Sequence, residues 1–206
     1  GRCMKQENKL VSQGLTFRNA RWRNYTLHAE STSLVISDEA AKYGNFSLRR
    51  FPGDDDVFLL TAEVEPNYAV RMACEGEDFL QRGARVPTRD DARKTHRGMQ
   101  GGGTFCNWEG KMAPMKNKWS LANPVRGDLP ASWFGLRFRL APTGKGEVMI
   151  ESFENEGLYL YAPHGSWAVA GYFGDPGAGG YWIPEPPLNL TLPRYEGPLC
   201  NYDCGH

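Results

Sequence analysis

The chain reads as an all-β domain of twelve short strands, and three observations predict it. Apolar and polar residues alternate over runs of strand length. Gly 24 and Pro 14 among 206 residues sit mostly between those runs, where turns are needed. The pattern of runs also recurs three times along the chain, a stronger constraint on fold than local propensity. At 40% apolar and 23% charged, the composition is that of a folded domain rather than a disordered segment. The longest apolar runs, Val57–Ala62 and Val148–Phe153, fall far short of the roughly 18 residues a membrane-spanning helix needs.

The first series of strands is expected at Thr16–Trp22, Tyr25–Glu30, Leu34–Ser37 and Asn45–Phe51. The second is expected at Val57–Val64, Tyr68–Ala73, Asp78–Gln81 and, after a long interruption, Leu136–Pro142. The third runs Glu147–Phe153, Leu158–Ala162, Trp167–Gly171 and Tyr181–Pro184. Alternation assigns the faces: Leu136, Phe138 and Leu140 share one side of a strand and Arg137 and Arg139 the other, as do Val148 and Ile150, and Phe46 and Leu48, on theirs. Glu65-Pro-Asn67 and Glu154-Asn-Glu-Gly157 are polar links of hairpin length, with Arg23-Asn24 at the matching place in the first series. Twelve strands in three equal sets call for a closed barrel without free edges. Alternation alone also permits a two-sheet sandwich.

The stretch Val148-x-Ile150-x-Ser152 through Tyr159-Leu160-x-Ala162, followed by a Gly174-Asp-Pro176 turn and Trp182-Ile183, resembles the β-trefoil superfold over residues 16–187. That resemblance implies a six-stranded barrel capped by three hairpins about a pseudo-threefold axis. It also implies a lectin-like or a cytokine-like module, and therefore a recognition protein. By analogy with trefoil lectins, the glycan-binding candidates in the third unit are His164, Trp167, Tyr172 and Asp175, an aromatic face with polar neighbours. The Gln-x-Trp signature of ricin-type lectins is absent from all three units. The alternative function is a protein-binding ligand, an adhesion or structural subunit of an extracellular assembly, or a protease inhibitor.

The second unit is expected to carry an insertion over about 84–132. This segment and its flanks concentrate positive charge, with Arg82, Arg85, Arg89, Arg93, Lys94, Arg97, Lys111, Lys116 and Lys118 against Asp90, Asp91 and Glu109, although the whole chain is neutral. Long loops on a rigid barrel are where recognition concentrates, so Arg89, Arg93, Lys94 and Arg97 are candidates for holding sulfated or acidic glycans. Trp108, Trp119 and Trp133 should pack part of the insertion onto the barrel.

Three sequons, at Asn24, Asn45 and Asn189, and five cysteines, Cys3, Cys74, Cys106, Cys200 and Cys204, point together to a secreted glycoprotein with disulfides. If the chain ends lie side by side, Cys3 reaches Cys200 or Cys204 and ties the terminal extensions together, while Cys74 reaches Cys106. One cysteine is then left over, either buried or available for a disulfide-linked oligomer. The chain opens Gly-Arg-Cys, so a signal peptide is expected to have been removed.

Catalytic chemistry is not expected. His28, His96, His164 and His206 lack metal-ligand spacing, no Gly-x-Ser-x-Gly elbow occurs, and Gly101-Gly-Gly103 lacks the lysine of a phosphate loop. No cofactor or metal is expected, and neither nucleic acid nor membrane insertion.

Overall fold

A computed structural model describes residues 10–39, 43–50, 56–75, 107–115, 135–165 and 168–189. Its strands are β1 (Leu10–Asn19), β2 (Thr26–Glu30), β3 (Ser33–Ser37), β4 (Phe46–Arg50), β5 (Phe58–Ala62) and β6 (Tyr68–Glu75). They continue with β7 (Asn107–Pro114), β8 (Phe138–Pro142), β9 (Val148–Ser152), β10 (Leu158–Tyr161), β11 (Ala170–Phe173) and β12 (Trp182–Glu185). A 3-10 turn, Gly177–Gly180, precedes β12, and among the described residues there is no α-helix.

Six strands close a ring in the order β1, β4, β5, β8, β9, β12 and back to β1, every pairing antiparallel. Closure leaves these strands no free edge and removes the sandwich alternative. The register shows what fills the ring: Leu15 pairs with Phe46, Phe58 with Phe138, and Val148 with Trp182. All six are at most 5% exposed, so the barrel interior is a plug of three aromatic residues and their aliphatic or aromatic partners. The indole N–H of Trp182 is the one polar group of this plug, and it donates to the Leu160 carbonyl at 3.1 Å, so its burial leaves no orphaned donor.

The other six strands form three hairpins, β2–β3, β6–β7 and β10–β11. They lean on one another through Ser33 with Lys111, Glu109 with Ala170, and Val35 with Ala168, which makes a triangular cap. Backbone bonds tie each hairpin to the ring in the same way. Ala29 N–H donates to Tyr43 O, Met72 N–H to Gly135 O and Ala162 N–H to Gly179 O, at 2.8–2.9 Å. At the cap centre Gly110 is a packing requirement, because a β-carbon there would lie 2.9 Å from Leu34 and 3.1 Å from Leu160.

Two expectations need correction. The strand that completes the second hairpin is Asn107–Pro114, inside the span assigned to an uninterrupted insertion over 84–132; it pairs residue for residue with β6 from Tyr68–Pro114 to Glu75–Asn107. The segment Asp78–Gln81 lies outside the described residues, as does the rest of that span, 84–106 and 116–132. In the third series the strand begins at Ala170, not Trp167, and is preceded by the Val35–Ala168 bridge. Cys3, Cys106, Cys200 and Cys204 lie outside the described residues, and for Cys74 only the backbone, within β6, is described.

Candidate functional site

The β10–β11 hairpin carries three of its aromatic residues on one face. Pairing of Leu158 with Phe173 and of Leu160 with Gly171 sends the leucines into the core, so Tyr159, Tyr161 and Tyr172 share the opposite side. Tyr159 and Tyr172 are register partners, and Tyr161 meets Tyr172 diagonally with ring centroids 5.3 Å apart, edge to face. Tyr172 is 45% exposed, among the most exposed large apolar side chains described. Gly171 between them is obligatory for packing, since a β-carbon would fall 2.6 Å from Trp108 and 2.9 Å from the Met72 sulfur.

The chain leaves β11 at Gly174, whose φ of +92° only glycine adopts without strain, and turns through Asp175-Pro176 into the 3-10 turn. Asp175 Oδ1 accepts the Gly177 N–H at 3.0 Å and the Tyr181 hydroxyl at 2.8 Å. These two donors hold the Asp175 carboxyl below the usual carboxylate range, the backbone N–H being the larger cause. The hydroxyl bond to Asp175 pushes the Tyr181 phenol up. Asp175 is thus an oriented carboxylate three residues along the chain from the exposed Tyr172.

The other residues singled out in the sequence are placed as follows. His164 is exposed in the turn after β10, where Gly165 packs on the Trp22 ring, and no hydrogen bond or ring contact among the described residues joins it to Tyr172 or Asp175. Trp167, Arg89, Arg93, Lys94 and Arg97 lie outside the described residues. Asn24 is exposed at the tip of the turn closed by Tyr25 N–H to Trp22 O, and Asn189 is exposed after β12. Asn45 is half-buried at the entrance to β4, and its backbone carbonyl accepts the Glu63 N–H.

Two buried ionisable groups were not expected from the sequence. Glu154, fully buried in the β9–β10 turn, receives Arg137 Nε at 2.8 Å. Burial nonetheless pushes its carboxyl up, because desolvation outweighs Arg137 and the backbone hydrogen bonds it receives. His28 packs against Gly44 and bonds Thr26 Oγ1 at 3.1 Å, and burial holds its imidazole down. Neither group reaches the tyrosine face, and among the described residues no group of three or more His, Cys, Asp or Glu is placed to hold a metal ion.

No family model matches the chain, and no curated sequence matches it either. Solved structures do. A mosquitocidal holotoxin aligns with a TM-score of 0.52 at 13% identity, covering 84% of this chain and 16% of the toxin. A protein described as BEL beta-trefoil aligns with a TM-score of 0.50 at 10% identity, over 87% of this chain and 97% of the other. A salivary protein of the Cysteine and Tryptophan-Rich family from Culex quiquefasciatus aligns with a TM-score of 0.49 at 9% identity, over 88% and 98%. The six-stranded ring, the three-hairpin cap and the likeness to BEL beta-trefoil define the class: the chain has the β-trefoil fold. No helix among the described residues is long and apolar enough to cross a membrane.

Proposed function

We propose that this β-trefoil is a secreted, non-enzymatic recognition module that binds glycans on the outer face of the β10–β11 hairpin. The observation that carries the reading is the exposed Tyr172 ring, buttressed edge-on by Tyr161 and followed three residues later by the Asp175 carboxylate that the Gly177 N–H and the Tyr181 hydroxyl orient. A sugar ring needs this pair of features: an aromatic plane for its C–H face and a fixed acceptor for its hydroxyls. Holding Asp175 by Oδ1 lowers the entropy lost when Oδ2 meets a ligand.

The scaffold reading goes with it. Three four-stranded units stand around a pseudo-threefold axis, and the cationic stretch of the second that precedes β7 supplies Arg89, Arg93, Lys94 and Arg97 to hold sulfated glycans. The recurrence of one register, Leu15–Phe46, Phe58–Phe138 and Val148–Trp182, supports the threefold reading. The exposure of Asn24 and Asn189 is what N-glycosylation of a secreted chain requires.

A glycan array probed at low and high ionic strength tests both parts. Neutral glycans held at the tyrosine face should be retained at either salt and weakened about tenfold by Tyr172→Ala, whereas sulfated glycans held by the insertion should be released as salt rises. Absence of binding to any glycan at either ionic strength refutes the reading.

A further inference from the structure

We propose that the barrel wall carries a second ligand site, a cleft where β1, β4 and β5 meet, built for a neutral polyhydroxyl compound of about the size of one sugar ring. The site begins with an irregularity in β1. Its pairing with β4 slips between Leu10 and Ser12 and again between Ser12 and Leu15, and Gly14 within the slip has φ +67°. Such a bulge takes a backbone N–H out of the ladder and opens the wall locally. The Gly14 N–H does not return to β4; it donates to Glu63 Oε1, just beyond the end of β5. Ser47 Oγ, on β4, donates to the same oxygen at 3.4 Å.

Glu63 is thereby clamped from two strands by one oxygen, and among the described residues its Oε2 takes no hydrogen bond. Beside it opens a shallow cleft of about 460 Å³, to which Gln13, Gly14, Ser47, Arg49, Thr61 and Glu63 contribute. That volume falls within the roughly 300–1,000 Å³ of small-molecule sites. Thr61 and Ser47 are only 2% and 9% exposed, so their hydroxyls belong to a recess rather than to open surface. Arg49 lines the same cleft and is half-buried, yet among the described residues it makes no ion pair with Glu63.

The charge pattern selects the ligand class. A phosphate or sulfate would meet the Glu63 carboxylate, and a simple cation would meet Arg49. A vicinal diol suits both, because each hydroxyl donates one proton and offers lone pairs: one OH donates to Glu63 Oε2 while its neighbour accepts from the guanidinium. The fold itself does not call for a carboxylate here. Ala20, Glu63 and Phe153 make the same backbone bond to the ring, to Tyr181 O, Asn45 O and Arg137 O respectively, and only one of the three carries a charge. The cleft lies on different strands from the tyrosine face, so the proposal stands or falls without Tyr172.

The test is a titration of the isotopically labelled chain with methyl glycosides of glucose, galactose and mannose, following amide resonances by NMR, with inorganic phosphate and glycine betaine as charged comparisons. At least one glycoside should shift Gly14, Ser47 and Thr61 saturably and independently of salt. Glu63→Gln, which keeps an acceptor for the Gly14 N–H and so keeps the bulge, should weaken that response about tenfold or more, as should Arg49→Met. Tyr172→Ala should leave it unchanged. The site is refuted if no glycoside moves those amides through the millimolar range, if phosphate or betaine moves them instead, or if Tyr172→Ala abolishes the response. Loss of hairpin binding in Tyr172→Ala with these shifts intact separates failure of one site from failure of the other.

Discussion

Replacing Gly135 by alanine probes the joint between hairpin and barrel more sharply than any core deletion. Gly135 is buried, has φ +79°, and its carbonyl accepts the Met72 N–H at 2.9 Å; a β-carbon there would fall well inside the contact distance of the Met72 carbonyl oxygen. Gly144 has nearly the same conformation, φ +86°, but nothing lies within 4 Å of its missing β-carbon. The left-handed conformation costs an alanine about 1–2 kcal/mol. Stiffening of the unfolded chain returns about 0.4–1 kcal/mol. Gly144→Ala should therefore lose about 1.5 kcal/mol or less. Gly135→Ala suffers the same backbone term and must also push two segments apart, which strands the buried Met72 N–H at a further cost of about 1–3 kcal/mol. Urea unfolding of the two variants side by side, at unchanged slope, measures the difference, which should be about 1–3 kcal/mol. If the two midpoints fall together, the hairpin is not pinned at this point and the packing argument for Gly135 is wrong.

Two further outcomes follow from buried polar groups. Trp182→Phe removes the indole N–H that satisfies the Leu160 carbonyl and leaves space in the barrel plug, so thermal or urea unfolding should show a loss of about 2–4 kcal/mol; a loss under about 1 kcal/mol would mean the plug relaxes around the smaller ring. His28 is held neutral by burial, against the pull of Glu30 and Glu39, so its native pKa lies below its unfolded value of about 6.5 and the unfolded state binds the extra proton. The stability it contributes is complete above that unfolded value and declines as pH falls toward the native one. Urea midpoints of the wild type minus those of His28→Gln should shrink on acidification through this window, and a difference that grows instead contradicts the assignment.

The barrel was legible in the sequence because its strands alternate strongly. Phe46 and Leu48, Leu136 and Phe138, and Val148 and Ile150 announce an inner face, and each of those strands lies within a few residues of its expected place. The hairpin strand β7 was not legible. Asn-Trp-Glu-Gly-Lys-Met-Ala-Pro has a glycine in its middle and a proline at its end, both poor strand formers, and Gly110 is there because Leu34, Leu160 and Val169 converge on it from other strands. Tertiary crowding of that kind leaves no local trace. Tyr172 and Asp175 were visible as residue types in a promising neighbourhood, but the partners that orient them, Tyr161 and Tyr181, come from pairing across a hairpin and a turn. The cleft at Gly14 was invisible for a related reason. It depends on a slip in register between β1 and β4 and on a glutamate 49 positions away, neither of which composition or periodicity encodes.

The seam between β1 and β12 has a consequence for how the molecule is made. Thr16 meets Glu185 across 169 positions, so while a ribosome is still elongating, one flank of the first strand has no partner. At roughly 5–20 residues added per second, that flank waits for about 8–34 s, with Leu15 and Phe17 lacking the lid that the last strand supplies. Until β12 is made, the nascent barrel should stay open along this flank of β1. Chaperone demand should end abruptly once the residues around Trp182 clear the exit tunnel.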